Sequence, residues 1–323
     1  MKFNSDHIVI FGGSILALEL LKYLKKIKFK YHFFTNKRML SDVIYDNKTL
    51  REHLEINKIK FFSTENINTN KSIYKIITPK SLGVSLGLPW IVKKKLINEF
   101  NEKLLDIMPI PMPRYRGGAH YTWMILNKNF KGGCFIQNIN TKTIQGYRDT
   151  GNYYLKYEYQ FPRSLKIPEE FYKYACKKEM SFLMKFIKNI KQNKNFTLKK
   201  FDESKSIFFP RLLSKLNGFI DWNFDAGEIT NFINAFSDPY PGAISFYKGR
   251  KIYLKNAKLV EKNNFHPYTS GLILNNYKKK LFISAKKGII RADFACKDPD
   301  IQVGERLFTS QSNIIKSKIH FKF

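Results

Sequence analysis

The sequence predicts an α/β fold: a Rossmann-like domain over residues 1–193, a linker over 194–207 and a smaller β-rich domain over 208–323. Three observations predict it. His7-Ile8-Val9-Ile10-Phe11-Gly12-Gly13-Ser14 is an apolar run closed by a glycine pair. Ile15, Leu18, Leu21 and Leu24 then follow at helical spacing, and Tyr31-His32-Phe33-Phe34-Thr35 is a second apolar run. Strand, tight turn, helix and strand at these distances make a βαβ unit. The second observation is a long helix over Glu169–Asn189, with Phe171, Ala175, Met180, Leu183, Phe186 and Ile187 on one face. The third is the change of pattern beyond the Lys/Asn-rich tract from Lys191 to Ser206. There Lys251–Leu254, Leu272–Leu274, Leu281–Ile283 and Gly288–Ala292 are short β-like runs between turn residues, as in a small barrel or sandwich.

The intervening elements follow in order. Gly12-Gly13 lacks the full G-x-G-x-x-G spacing and is read as serving only the turn. Ser72–Pro79 and Gly83–Gly87 read as strands or strand ends, Ile91–Leu104 as a Lys-rich amphipathic helix, and Gly132–Ile139 as a further strand.

Composition excludes more than it selects. The formal net charge of +31 would point to nucleic acid or an anionic surface, but the lysines are scattered through every segment. A binding stripe clusters, so nucleic acid is not the expected partner. Cys134, Cys176 and Cys296 show neither disulfide-framework nor zinc spacing, so no metal is expected and a reducing compartment fits. No apolar stretch approaches the roughly 20 residues that span a bilayer. The start of the chain lacks a signal-peptide pattern, and the expected location is cytoplasmic.

The stretch Pro109–Trp123 is the most informative. Its prolines, Arg114, Arg116 and the pair Gly117-Gly118 make a constrained loop in which backbone approaches something closely. Locally, Arg116 reads as pairing with a carboxylate. Met112-Pro113-Arg114-Tyr115-Arg116-Gly117 also resembles the signature loop of folate-dependent formyltransferases, and the run through Gly118-Ala119-His120-Tyr121-Thr122-Trp123 is most similar to the sugar N-formyltransferase branch. Ser85–Ile91, Asp149-Thr150-Gly151, Phe209-Pro210-Arg211, Gly218–Trp222, Phe232–Phe236, Pro239-Tyr240-Pro241-Gly242-Ala243 and His266-Pro267-Tyr268 recur in the order found in that branch.

The resemblance implies a formyltransferase domain followed by an OB-like barrel, and a formyl transfer from N10-formyltetrahydrofolate to the amine of a nucleotide-linked amino-sugar used in surface glycan synthesis. A homodimer is its expected assembly. It implies folate contacts at Gly87, Leu88, Pro89, Trp90, Arg116 and Gly117, and a proton-handling role for Asp149, whose local reading is a surface carboxylate beside Arg148. Arg211, Trp222 and Tyr240 are candidate nucleotide-sugar contacts, because guanidinium suits phosphate and aromatic rings stack on bases; each also reads as a packing residue. The departure lies at the remaining catalytic positions. Where the family carries Asn and His, this chain has Asp106 and Met108, and methionine neither donates a hydrogen bond nor takes a proton. His120, on the same loop, falls at a non-catalytic family position. Two other readings stand beside the first: an impaired homologue that binds folate or nucleotide-sugar without efficient turnover, and a methionyl-tRNA formyltransferase.

Overall fold

The computed structural model describes residues 1–46, 48–140, 151–262, 264–296 and 300–320. They form two compact units. The first comprises Met1–Arg116, Lys131–Gln160 and Ala175–Ile207; the second comprises Gly117–Phe130, Phe161–Tyr174 and Phe208–Phe323.

The first unit is built on seven strands: β1 (His7–Gly12), β2 (Lys30–Thr35), β3 (Phe62–Ser63), β4 (Ser81–Leu86), β5 (Leu104–Met108), β6 (Lys131–Asn138) and β7 (Tyr153–Gln160). Their order is β7-β6-β5-β4-β1-β2-β3. From β3 to β5 the neighbours run parallel, whereas β6 and β7 add an antiparallel edge. β1 and β4 are buried along their whole length, as parallel strands covered on both faces must be. Helix α1 (Ile15–Lys26) carries Leu16, Leu20 and Leu24 into a cluster with Ile8, Ile10, Val84, Ile107 and Ile136 on one sheet face. The opposite face holds Val9, Phe11, Phe34, Phe100 and Leu104.

Two expectations change here. Ser72–Pro79 is not a strand: Lys71–Ile76 is helical, because Asn70 caps it by accepting from the Ser72 backbone at 2.9 Å and turns Ile73 into the core. The polar tract after α3 (Pro168–Lys191) is held down rather than free. Lys199 exchanges backbone hydrogen bonds with Tyr153 at 2.8 and 2.9 Å, and Ile207 donates to Pro113 O at 3.2 Å.

The second unit contains an antiparallel sheet of β8 (Ala243–Tyr247), β9 (Arg250–Glu261), β10 (Ile273–Tyr277), β11 (Lys280–Ala285) and β12 (Gly288–Cys296), in the order β8-β9-β12-β11-β10. α4 (Ala226–Ala235) lies on it, and the Asn234 carboxamide grips the Ala257 backbone at both N–H and C=O, at 2.8 and 3.0 Å. Sequence-distant segments complete this unit. α2 (His120–Leu126) receives a bond from Asn231 Nδ2 at Ile125 O, 2.8 Å, and Trp123 Nε1 donates to Pro210 O at 2.8 Å.

Candidate active site

In an open α/β sheet, ligands bind beyond the carboxyl ends of the strands, where the strand order reverses. Here the order reverses between β1 and β4. Gly12 ends β1 at φ +122°, and a Cβ there would stand 2.2 Å from Leu86 O; only glycine lets the two strand ends meet. Gly13 N donates to that same Leu86 O at 3.2 Å, and Ser14 caps α1 by accepting from Ala17 N. The glycine pair therefore serves more than a turn, since it sets the switch point itself. Gly87 follows β4 at φ +71°, exposed; a Cβ there would find nothing closer than Gly13 O at 3.7 Å. Leu88 and Trp90 pack on the Phe11 cluster, and Trp90 Nε1 donates to Glu65 O at 2.9 Å. Pro89 between them is partly buried.

Asp106 and Met108 lie on β5, next to β4. Register places Ser85 beside Asp106 on one flank and Gln137 on the other, with Phe135 opposite Met108. Partners in a ladder share a sheet face, so Ser85, Asp106 and Gln137 form one polar row. Apolar clusters stand on either side of it. Phe11 continues the row beyond Ser85, while Met108 packs with Ile110, Met112, Phe135, Tyr153 and Phe201. Ser85 is fully buried and its Oγ has no hydrogen-bond partner; buried Gln137 donates to Gly151 O at 3.3 Å; Asp106 is partly exposed. Gly151 belongs to the Asp-x-Gly element, whereas Asp149 lies outside the described residues. Ser85 and Gln137 were missed in the sequence. Their one signal is a polar side chain inside the apolar run Gly83–Leu86 and another directly after the apolar run Cys134–Ile136.

Arg116 is buried, and its guanidinium is occupied. It binds both oxygens of Glu203, one at 2.9 Å, and donates to Ser206 Oγ at 2.8 Å, above the Phe201 ring. That clasp holds the Glu203 carboxyl below its ordinary range. The local reading of Arg116 as a carboxylate partner describes its side chain.

The other candidates belong to the second unit. Gly117, at φ +105°, would place a Cβ 2.0 Å from Phe209 O, and Gly118 packs against the Arg211 side chain. Tyr240 shares a hydrogen bond with Thr122 and feels the Arg211 charge; burial outweighs both and raises its phenol pKa. Arg211 and Tyr240 are thus gathered around residues 118–122. Trp222 is not part of that group, since its Nε1 donates to Ser245 Oγ of β8 at 3.0 Å inside the sheet core. Burial holds the His120 imidazole down at about 4, and its Nδ1 is enclosed without a hydrogen-bond partner. It is therefore neutral at pH 7.

Residues 212–303 match the family model described as formyl transferase, C-terminal domain. The matched region lies within the second unit. The match bears out the family resemblance drawn from the signature loop. Over 249 residues the chain is 30% identical to the bifunctional polymyxin resistance protein ArnA of Wigglesworthia glossinidia brevipalpis, covering 70% of this chain and 35% of that one. It is 27% identical over 196 residues to the methionyl-tRNA formyltransferase of Acetivibrio thermocellus, covering 58% and 60%. The chain thus spans 35% and 60% of the lengths of these two curated relatives. In fold it is similar to the N-formyltransferase of Helicobacter canadensis, solved with folinic acid and dTDP-3-aminofucose. The TM-score is 0.63 at 21% identity, over 90% of this chain and 100% of that one. The fold is a formyltransferase fold, with a large, mostly parallel sheet and an antiparallel C-terminal sheet. Among the described residues, no helix is long and apolar enough to cross a membrane, and no cluster of His, Cys, Asp or Glu is disposed to hold a metal ion.

Proposed function

We propose that this formyltransferase-fold chain moves a formyl group from N10-formyltetrahydrofolate to the amine of a nucleotide-linked amino-sugar. One observation carries the reading: the likeness to the Helicobacter canadensis enzyme, whose structure holds a formylated folate and an amino-sugar nucleotide, runs the length of that protein. The polar row of Ser85, Asp106 and Gln137 across β4, β5 and β6 supports it, because a carboxylate flanked by a hydroxyl and a carboxamide suits proton handling. On this reading the segment Gly87–Trp90, with the backbone at Arg116-Gly117, contacts folate. Arg211 and Tyr240 contact the nucleotide-sugar, and Asp149 shares the proton handling. The C-terminal sheet is the OB-like module, and the protein works in the cytoplasm as a homodimer.

A second reading has its own support. Met108 stands in an apolar cluster and offers the acyl oxygen no donor, which favours binding with slow turnover. Incubation with the folate donor and a panel of nucleotide-linked amino-sugars, followed by mass spectrometry, separates the two. A product 28 mass units heavier supports transfer; bound ligands without product, together with activity in the Asp106→Asn/Met108→His variant, support the second. Formylation of charged initiator tRNA alone would replace both.

A further inference from the structure

We propose that Ser85 and Gln137, the neighbours of Asp106 in its cross-strand row, donate the hydrogen bonds that hold the acyl oxygen, while the Asp106 carboxylate takes the amine proton. This rests on the formyl-transfer reading above. The row is unusual for its place: three polar side chains interrupt a sheet face that is apolar on both flanks. Ser85 Oγ is fully buried without a partner, a state that folded proteins avoid unless the group is reserved for another purpose. The Gln137 amide nitrogen carries two N–H groups, and its bond to Gly151 O, at 3.3 Å, engages one of them at the long end of the range.

Two glycines bound the row, Gly83 within β4 and the exposed Gly87 just after it. At Gly83 the space is filled, since a Cβ would lie 2.4 Å from Leu104 Cδ1 and 3.0 Å from the Phe100 ring. At Gly87, two residues beyond Ser85, nothing lies within 3.4 Å of such a Cβ. The row is thus tightly packed at its Gly83 end, whereas at the Gly87 end, by the switch point, an added Cβ would meet only ordinary contacts. Adjacent strands are about 4.8 Å apart, so an oxygen seated over Asp106 is flanked by a hydroxyl on one side and a long carboxamide on the other.

The step balances without any other reagent. The neutral amine nitrogen attacks the formyl carbon, the new N–C bond forms, and the carbonyl pair moves to oxygen, where Ser85 Oγ–H and Gln137 Nε2–H receive it. The ammonium proton passes to Asp106, so carboxylate and oxyanion do not remain charged side by side. Collapse restores C=O and breaks the bond to N10, which takes the proton back from Asp106.

The test is Ser85→Ala, Gln137→Leu, Asp106→Asn and Asp106→Glu in the full chain, with kcat, KM and thermal midpoint measured for each. Removing an orphaned hydroxyl leaves the fold intact, so Ser85→Ala is expected to melt no lower than the natural chain while kcat falls about a hundredfold at similar donor KM. Asp106→Glu is expected to recover part of what Asp106→Asn loses. As a second readout, the ¹³C-formyl signal of bound 10-formyltetrahydrofolate is expected to move upfield in Ser85→Ala and in Gln137→Leu. Full kcat and an unmoved signal in Ser85→Ala overturn the inference while formyl transfer stands. A natural chain that binds the donor but formylates no amine overturns the transfer reading, and this inference with it.

Discussion

Tyr159 donates its phenolic hydrogen to Glu179 at 2.8 Å beneath the sheet of the first unit, where Glu179 is 2% exposed. Burial is the main cause that lifts the Glu179 pKa from 4.5 to about 8, against the opposing Tyr159 hydrogen bond; the same burial, aided by the Glu179 charge, raises the thiols of Cys134 and Cys176. The folded protein therefore favours the protonated acid. Its contribution is complete below the ordinary carboxyl value and is lost as pH rises towards about 8. Glu179→Gln is expected to match the natural chain at pH 5 and exceed it at pH 8 by a few kcal/mol, on the order of 1.4 per pKa unit. Thermal midpoints across pH 5–9 check this; parallel curves for both proteins would count against it.

The clasp between Arg116 and Glu203 makes a second prediction. Lysine cannot reproduce the bidentate bond together with the bond to Ser206. Arg116→Lys is expected to cost about 1–2 kcal/mol and to open residues 199–207 to limited proteolysis. The Glu203 pKa is depressed, so its share is present above the ordinary carboxyl range and fades as pH falls. Urea titration and the cleavage pattern are the measurements.

Two glycines make a contrasting pair. Gly12→Ala meets Leu86 O at a positive φ and is expected to destabilise by about 3 kcal/mol or to prevent folding. Gly227, within α4, has nothing within 4 Å of an added Cβ. Gly227→Ala is expected to stabilise by roughly 0.5 kcal/mol. Denaturant midpoints decide both.

Met108→His tests what the apolar cluster tolerates. An imidazole set among Ile110, Met112 and Phe135 loses packing and a thioether's indifference to hydrogen bonding. A loss of about 1–2 kcal/mol is expected, with a melting temperature that falls further once the ring is protonated below pH 6. A variant that gains stability would show that the cluster already accommodates a polar group.

The parts of this protein visible in the sequence are those written in local periodicity. His7–Gly12, α1 and β2 follow from spacing, and the strands of the second unit from short β-branched runs between turns. Asp106 and Met108 could be found by counting back from Pro113. Ser72–Pro79 misled because its β-branched residues outweighed the single Asn70 cap. The Arg116–Glu203 partnership joins residues 87 apart, and the Ser85–Asp106–Gln137 row depends on strand order and register, neither of which a linear pattern carries. The same holds for the unit boundaries, because helical spacing in residues 117–130 and 161–174 does not say which sheet those segments will join.

That discontinuity has a consequence during synthesis. Residues 117–130 and 161–174 leave the ribosome well before residue 208, yet Trp123 waits for Pro210 and Ile125 for Asn231. At about 5–20 residues per second, the nascent chain carries these half-made surfaces for several seconds. The chaperone demand of this protein is therefore set by the order in which its segments are translated, and slowing translation between the two halves lengthens that exposure.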